Sequence, residues 1–237
     1  MKASPGARSW IAAGVRHELL TRALPALRHD MAAPVSVIRM ALLMLKRQVG
    51  APQIDAAAVE QRVALIDNQI GELVTGVRSL RDWELAVDDD GITRSALVAT
   101  CTGLMRGAFD LNGVSIEIDP LLDPASLVPA TGCAISSPTE QSWPNGAALR
   151  YLFLGALAHL HDTVDDVGTI AVSADGANAL QFTASVRQQD REYRVADAHR
   201  APRALAIDAI AMQSLADDLG YAVTVGPDTV RLVLAPG

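Results

Sequence analysis

The chain has 237 residues, half of them apolar, with a formal net charge of −7 and 4% aromatic residues. That balance describes an ordered, alanine- and leucine-rich protein with room for one large domain or two small ones, and it excludes a disordered tail. Lys and Arg are scattered along an acidic chain, so no nucleic-acid partner is expected. Cys101 and Cys133 have neither CxxC spacing nor a histidine cluster nearby, which leaves them as reduced thiols outside any zinc site or disulfide framework. No apolar run reaches the ~20 residues of a membrane span, and the first fourteen residues lack a signal-peptide core. The expected compartment is the cytoplasm, with no membrane partner.

Apolar residues then recur at Leu20, Leu24, Leu27, Met31, Val35, Ile38, Leu42, Leu45 and Val49, in steps of three or four. This is the seam of a long amphipathic helix, and Gly50, Ala51 and Pro52 stop it. A second seam follows at Val59, Val63, Ile66, Ile70, Leu73, Val77 and Leu80, with Asp55 placed to cap its start. Two such helices joined by a short turn predict an antiparallel hairpin. One hairpin leaves part of its stripes uncovered, whereas two hairpins paired as a four-helix bundle bury them, so a homodimer is expected. The acidic run Asp88, Asp89, Asp90 with Gly91 breaks the pattern, and the predicted domains are residues 1–88 and 89–237.

Beyond that break the period changes. Residues 92–109, 147–161 and 203–219 read as helices, and 114–118, 169–174, 180–187, 222–225 and 229–234 as strands rich in β-branched residues. Residues 120–145 read as loop with one short strand near 133–135. The expected fold class is α+β, a helical hairpin followed by a two-layer α/β sandwich.

Within the first helix stands His29-Asp30-Met31-Ala32-Ala33-Pro34-Val35. His29 is two positions from both Leu27 and Met31, which turns it off the seam toward solvent, where a neutral ring nitrogen would attack a phosphoryl group. Asp30 would accept a proton or hold the ring tautomer. Pro34 removes a backbone donor, and a bend after the histidine is expected. An isolated helix histidine beside an aspartate also reads as a solvated pair. The position of this one, in the first of two seam-bearing helices ahead of an α+β domain, favours chemistry.

The motif resembles the H-box of the dimerisation and phosphotransfer domain of bacterial histidine kinases. The resemblance continues, in order, into an ATPase-like α/β sandwich, but the family's ligand positions differ here. Gly155 and His159 stand where the family's asparagines hold magnesium and phosphates. The run Arg187-Gln188-Gln189-Asp190-Arg191-Glu192 has no adenine-binding aspartate followed by glycines. The glycine-rich turn is replaced by Ala201-Pro202-Arg203-Ala204-Leu205-Ala206-Ile207. Close approach of backbone to phosphate needs residues without Cβ and with N–H groups, and these segments lack them.

With His29, Asp30, Pro34, Val35 and Ile38 in an HD-x-x-x-PV-x-x-I pattern, the chain is most similar to the histidine phosphotransferases built on a degenerate histidine-kinase architecture. That resemblance implies a phosphohistidine relay between receiver-domain aspartates through His29. It implies no cofactor on this chain and Mg²⁺ on the partner receiver. Arg28 and Arg39 are near enough along the helix to contact the phosphate or the partner's acidic site, although surface arginines more often only solubilise. Ala33 replaces the polar residue that many kinases use in dephosphorylating a partner, so phosphatase activity is not expected. The rival readings are a non-catalytic dimeric regulator and a divergent active kinase. His17, His159, His161 and His199 read as surface or ordinary domain histidines.

Overall fold

The computed structural model describes residues 4–79, 91–122, 141–187 and 205–236. Leu80, the acidic break at 88–90, the expected strand at 133–135 with Cys133, the run 188–192, His199 and residues 201–204 lie outside the described residues. The chain mixes helix and sheet and divides into two compact units, Leu24–Val87 and a larger one made of Met1–Ala23 with Asp88–Gly237. Residues 1–23, grouped with the hairpin in the sequence reading, therefore belong with the sheet.

The first helix, α1 (Pro5–Val49), is continuous over 45 residues and runs through Pro25 and Pro34 without a break. From Leu24 onward it forms the smaller unit with α2 (Ala56–Ser79). Gly50 closes α1 by donating its N–H to the Lys46 carbonyl at 3.2 Å. The Asp55 carboxylate caps α2, accepting from the N–H groups of Ala57 and Ala58 at 3.1 and 3.2 Å. A Cβ on Gly76 would lie 3.4 Å from Met31 Cγ, so the end of α2 returns alongside the middle of α1 and the pair is antiparallel.

Burial resolves the seam into two stripes. The covered positions of α1 are Leu27, Met31, Pro34, Ile38, Ala41, Leu45 and Gln48, in alternating steps of four and three; those of α2 include Val59, Arg62, Ile66, Gln69, Leu73 and Gly76. Beside them Val35, Leu42 and Val49 on α1, and Val63, Ile70 and Val77 on α2, repeat every seven residues and stay 42–55% exposed. The sequence seam had merged the stripe that closes the hairpin with the stripe next to it.

In the larger unit a five-stranded sheet has the order β2 (Ser115–Ile118), β4 (Val167–Ala174), β5 (Ala179–Val186), β7 (Thr229–Pro236) and β6 (Tyr221–Val225). The β2–β4 pairing is parallel and the others antiparallel. Alternate residues Ile170, Val172, Leu180, Phe182, Ala184, Val230, Leu232 and Leu234 are buried, which gives the sheet one apolar face. Helices α3 (Arg94–Leu111), α4 (Gly146–Thr163) and α5 (Ala209–Leu219) cover it, and Phe153 of α4 meets Phe182 edge-on at 4.8 Å.

Two boundaries differ from expectation for local reasons. Residues 92–93 form β1 (Ile92–Thr93), paired with β3 (Ser142–Trp143), because the Thr93 hydroxyl caps α3 by accepting from the Ala96 N–H at 3.3 Å. The last helix starts at Ala209, not at residue 203, because the Asp208 carboxylate accepts from the Ala211 N–H at 2.8 Å and fixes the N-cap there.

Helix α4 is the most buried helix among the described residues. Every residue from 146 to 161 except Arg150 is buried, so this helix needs cover on all sides. The sheet, α3 and α5 supply part of it. In the first part of α1, which belongs to the same unit, Ala12, Val15, Leu19 and Ala23 recur at helical spacing and are at most 6% exposed. Arg8 and Arg16 pair with Asp217 and Asp218 of α5. Burial pushes the Tyr151 hydroxyl of α4 upward in pKa, and the nearby Arg16 guanidinium opposes that shift.

Candidate functional site

His29 is exposed on α1. The residues two positions to either side, Leu27 and Met31, belong to the stripe that closes the hairpin, so the imidazole stands on the opposite side of the helix from that contact. One turn away on its own face are Pro25, Ala32 and Ala33, and two turns away Ser36, all exposed and all small. Further along the same face Met40 and Leu43 are 56% and 58% exposed. The histidine is thus bordered by short side chains and followed by an apolar surface.

The side chain of Asp30 lies outside the described residues, so its relation to His29 rests on adjacency in the sequence alone. Pro34 is buried within the hairpin stripe. The missing Pro34 N–H leaves the ladder one donor short toward residue 30, yet the helical assignment continues across it. Arg28 and Arg39 are both exposed.

The positions that match the kinase family's ligand-holding helix are closed by the chain itself. A Cβ on Gly155 would lie 3.0 Å from Met212 Sδ and 3.2 Å from Leu215 Cδ2, so α5 packs directly where a side chain would project. His159 is 3% exposed, and its Nδ1 is 2.8 Å from the Ile207 carbonyl. A carbonyl only accepts, so Nδ1 carries the proton and donates. Neither position offers an oxygen to a metal ion. Among the described residues no group of three or more His, Cys, Asp and Glu side chains is placed to hold a metal, and no helix is long and apolar enough to cross a membrane.

The sequence reading missed a polar junction around Arg22. Arg22 donates to both oxygens of Asp162 at 3.1 and 2.9 Å, to Glu18 Oε1 at 2.9 Å and to the Leu205 carbonyl at 3.0 Å. The Asp162 side chain is 1% exposed and also accepts from the Ile207 N–H at 3.0 Å. Beside it a cavity of about 220 Å³ is lined by Glu18, Arg22, Met105, Ala108, Phe109, Asn112 and His161. The only trace of this junction in the sequence is the i, i+4 spacing of Glu18 and Arg22, which most surface helices share. Cys101 is fully buried, and burial pushes its thiol far above the ordinary range, which removes it as a nucleophile.

No protein-family model and no curated protein matches the chain. Among solved structures it is similar to the Acinetobacter baumannii histidine kinase AdeS, with 10% identity and a TM-score of 0.33 over 87% of this chain and 98% of that one. It is also similar to full-length ShkA in complex with AMPPNP, with 15% identity and a TM-score of 0.32 over 99% of this chain; it spans 47% of that chain. A histidine kinase thus stands among the weak structural neighbours, and at such scores the likeness carries no argument about chemistry.

Proposed function

We propose that the chain is a histidine phosphotransferase of a bacterial two-component phosphorelay, exchanging a phosphoryl group between His29 and receiver-domain aspartates. The observation that carries this reading is the pairing of an exposed His29, turned away from the hairpin contact, with nucleotide-type positions filled by Met212, Leu215 and a hydrogen-bonded His159. A nucleophile open to a macromolecular donor and a fold closed to ATP together favour a relay over a kinase.

In the forward step a neutral His29 ring nitrogen attacks the phosphorus of an aspartyl phosphate. The P–N bond forms as the P–O bond to the aspartate breaks, the carboxylate leaves, and the other ring nitrogen gives up its proton, with Asp30 the nearest acceptor in sequence. Positioning and neutralisation of charge supply most of such catalysis, and the receiver's own Mg²⁺ would serve the second. The small residues around His29 admit a bulky partner, and Met40 and Leu43 give it an apolar contact. The exposed stripe of Val35, Leu42, Val49, Val63, Ile70 and Val77 supports pairing with a second copy as a four-helix bundle.

Labelled phosphoryl transfer tests the reading. Phosphorylated receiver domains are expected to label the wild-type chain and not His29→Ala, while labelled ATP leaves both blank. Label taken from ATP by the purified chain sinks the relay in favour of a divergent kinase. Receiver binding without any label on His29 favours a non-catalytic regulator.

A further inference from the structure

Three helices of the larger unit line the cavity beside Arg22, and every lining residue belongs to that unit. Glu18 and Arg22, one turn apart on α1, form one wall. Met105, Ala108 and Phe109 of α3 form a second, apolar one. His161 of α4 forms the third, its ring edge-on to Phe109 with the centroids 4.9 Å apart. Asn112, the C-cap residue of α3, is the exposed member of the lining and marks its mouth. At about 220 Å³ the space exceeds the roughly 150 Å³ that holds a benzene ring and falls short of the ~300 Å³ of the smallest drug-sized pockets. It suits one ring or a short chain with a head group.

The polar side of the cavity has a definite sign. Arg22 gives its Nε–H to Glu18 Oε1, and its two terminal nitrogens donate to the Asp162 carboxylate and the Leu205 carbonyl. Two carboxylates thus share one guanidinium, and the three groups together carry a net negative charge. Asp162, its side chain 1% exposed, takes the forked end and the Ile207 N–H. Glu18 is 18% exposed, and its Oε2 has no hydrogen-bond partner among the described residues. Asn112 donates from Nδ2 to the Ala108 carbonyl at 2.7 Å, which leaves its Oδ1 as a second open acceptor.

Helix direction adds to the same sign. Ala108, Phe109 and Asn112 stand at the C-terminal end of α3, and His161 in the last turn of α4, so both helices present their negative ends here. Partial withdrawal from water leaves these fields less screened. One N–H of Arg22 remains over and would suit an anion, and Arg187 donates to the Asn112 and Gly113 carbonyls without lining the cavity. Against these stand the uncovered Glu18 oxygen, the Asn112 oxygen and two helix ends.

We propose that this cavity is a binding site for a small amphiphilic organic cation. Its ammonium group is taken up by Glu18, with Asn112 as a second acceptor, and its apolar body lies against Met105, Ala108 and Phe109. No residue of the smaller unit takes part.

The probe is benzylammonium, with benzyl alcohol and benzoate as neutral and anionic counterparts of nearly the same shape. Each is titrated into the full chain at about pH 8, between the ordinary ranges of histidine and of an ammonium. Benzylammonium is expected to bind about tenfold or more tighter than benzyl alcohol, to raise the melting temperature, and to shift backbone amide NMR signals at residues 105–112 and 161. Benzoate is expected not to bind.

Glu18→Gln keeps an acceptor for the Arg22 Nε–H and removes the charge. It should weaken benzylammonium about tenfold while leaving benzyl alcohol within about twofold. Ala108→Leu fills the apolar side and should abolish binding of both. Near-UV circular dichroism follows the folding of each variant; if Glu18→Gln does not fold, the probe series on wild type decides alone. The proposal is overturned if no probe binds wild type, if benzyl alcohol or benzoate binds as tightly as benzylammonium, or if the shifts fall on other residues. A folded Glu18→Gln that holds benzylammonium as wild type does overturns it as well.

Discussion

At the scale of single residues, packing governs the positions likened to the kinase family's ligand-holding helix. Gly155 is the clearest case, since the absence of a Cβ is what lets Met212 and Leu215 close on α4. Restoring the amide that the resembled family carries there should not restore binding. Gly155→Asn is expected to cost about 1–3 kcal/mol through overpacking, despite the better helix propensity of asparagine, and to leave nucleotide affinity undetectable. A denaturant midpoint and a nucleotide titration on the same sample check both halves; a stable variant that binds ATP would overturn the packing account of Gly155. His29 itself was legible in the sequence because its offset from Leu27 and Met31 fixes its side of the helix. Arg22 was not, because its partners Asp162 and Leu205 are 140 and 183 residues away and nothing local marks them.

At the scale of elements, the three- and four-residue steps identified both helices of the hairpin, since periodicity reports which face is covered, and β-branched runs identified the strands of the sheet. Periodicity does not say by what. Val35, Leu42 and Val49 sit one position beyond Pro34, Ala41 and Gln48, and a sequence reading favours the more apolar side chain although the hairpin closes on its neighbour. Cap chemistry was the other hidden signal. Asp55 was read as a cap, whereas Asp208 and Thr93 were overlooked because the apolar pattern runs past both of them. If the exposed stripe meets a second copy, Leu42→Glu combined with Ile70→Glu should shift the chain from dimer to monomer in light scattering. Met40→Glu, on the outward face of α1, should leave the mass unchanged. A dimer that survives the double change would mean that the stripe serves something else.

At the scale of the whole molecule, the expected division at residues 88 and 89 left out the first turns of α1, which complete the core of the sheet unit. The difference between that division and the contact-based one has a physical source. An amphipathic helix looks the same whether its apolar face meets one partner or changes partner midway, and Ala12, Val15, Leu19 and Ala23 flow into Leu27 without a change of period. Leu19 is fully buried and Leu24 is 38% exposed, so the two leucines discriminate the assignments. Leu19→Ala is expected to destabilise the sheet unit by about 2–5 kcal/mol, while Leu24→Ala should cost well under about 2 kcal/mol. Thermal melts of the two variants check this.

Docking the start of α1 on the sheet unit also sets an order of assembly. Arg8 and its partner Asp217 are 209 residues apart. During synthesis the hairpin helices would emerge well before α4, α5 and the later strands exist, leaving residues 5–23 without their seat until nearly the whole chain is made. Contacts of such long range are closed late and slowly. A hairpin complete early and a core sealed last makes the first turns of α1 the last part of that helix to be seated.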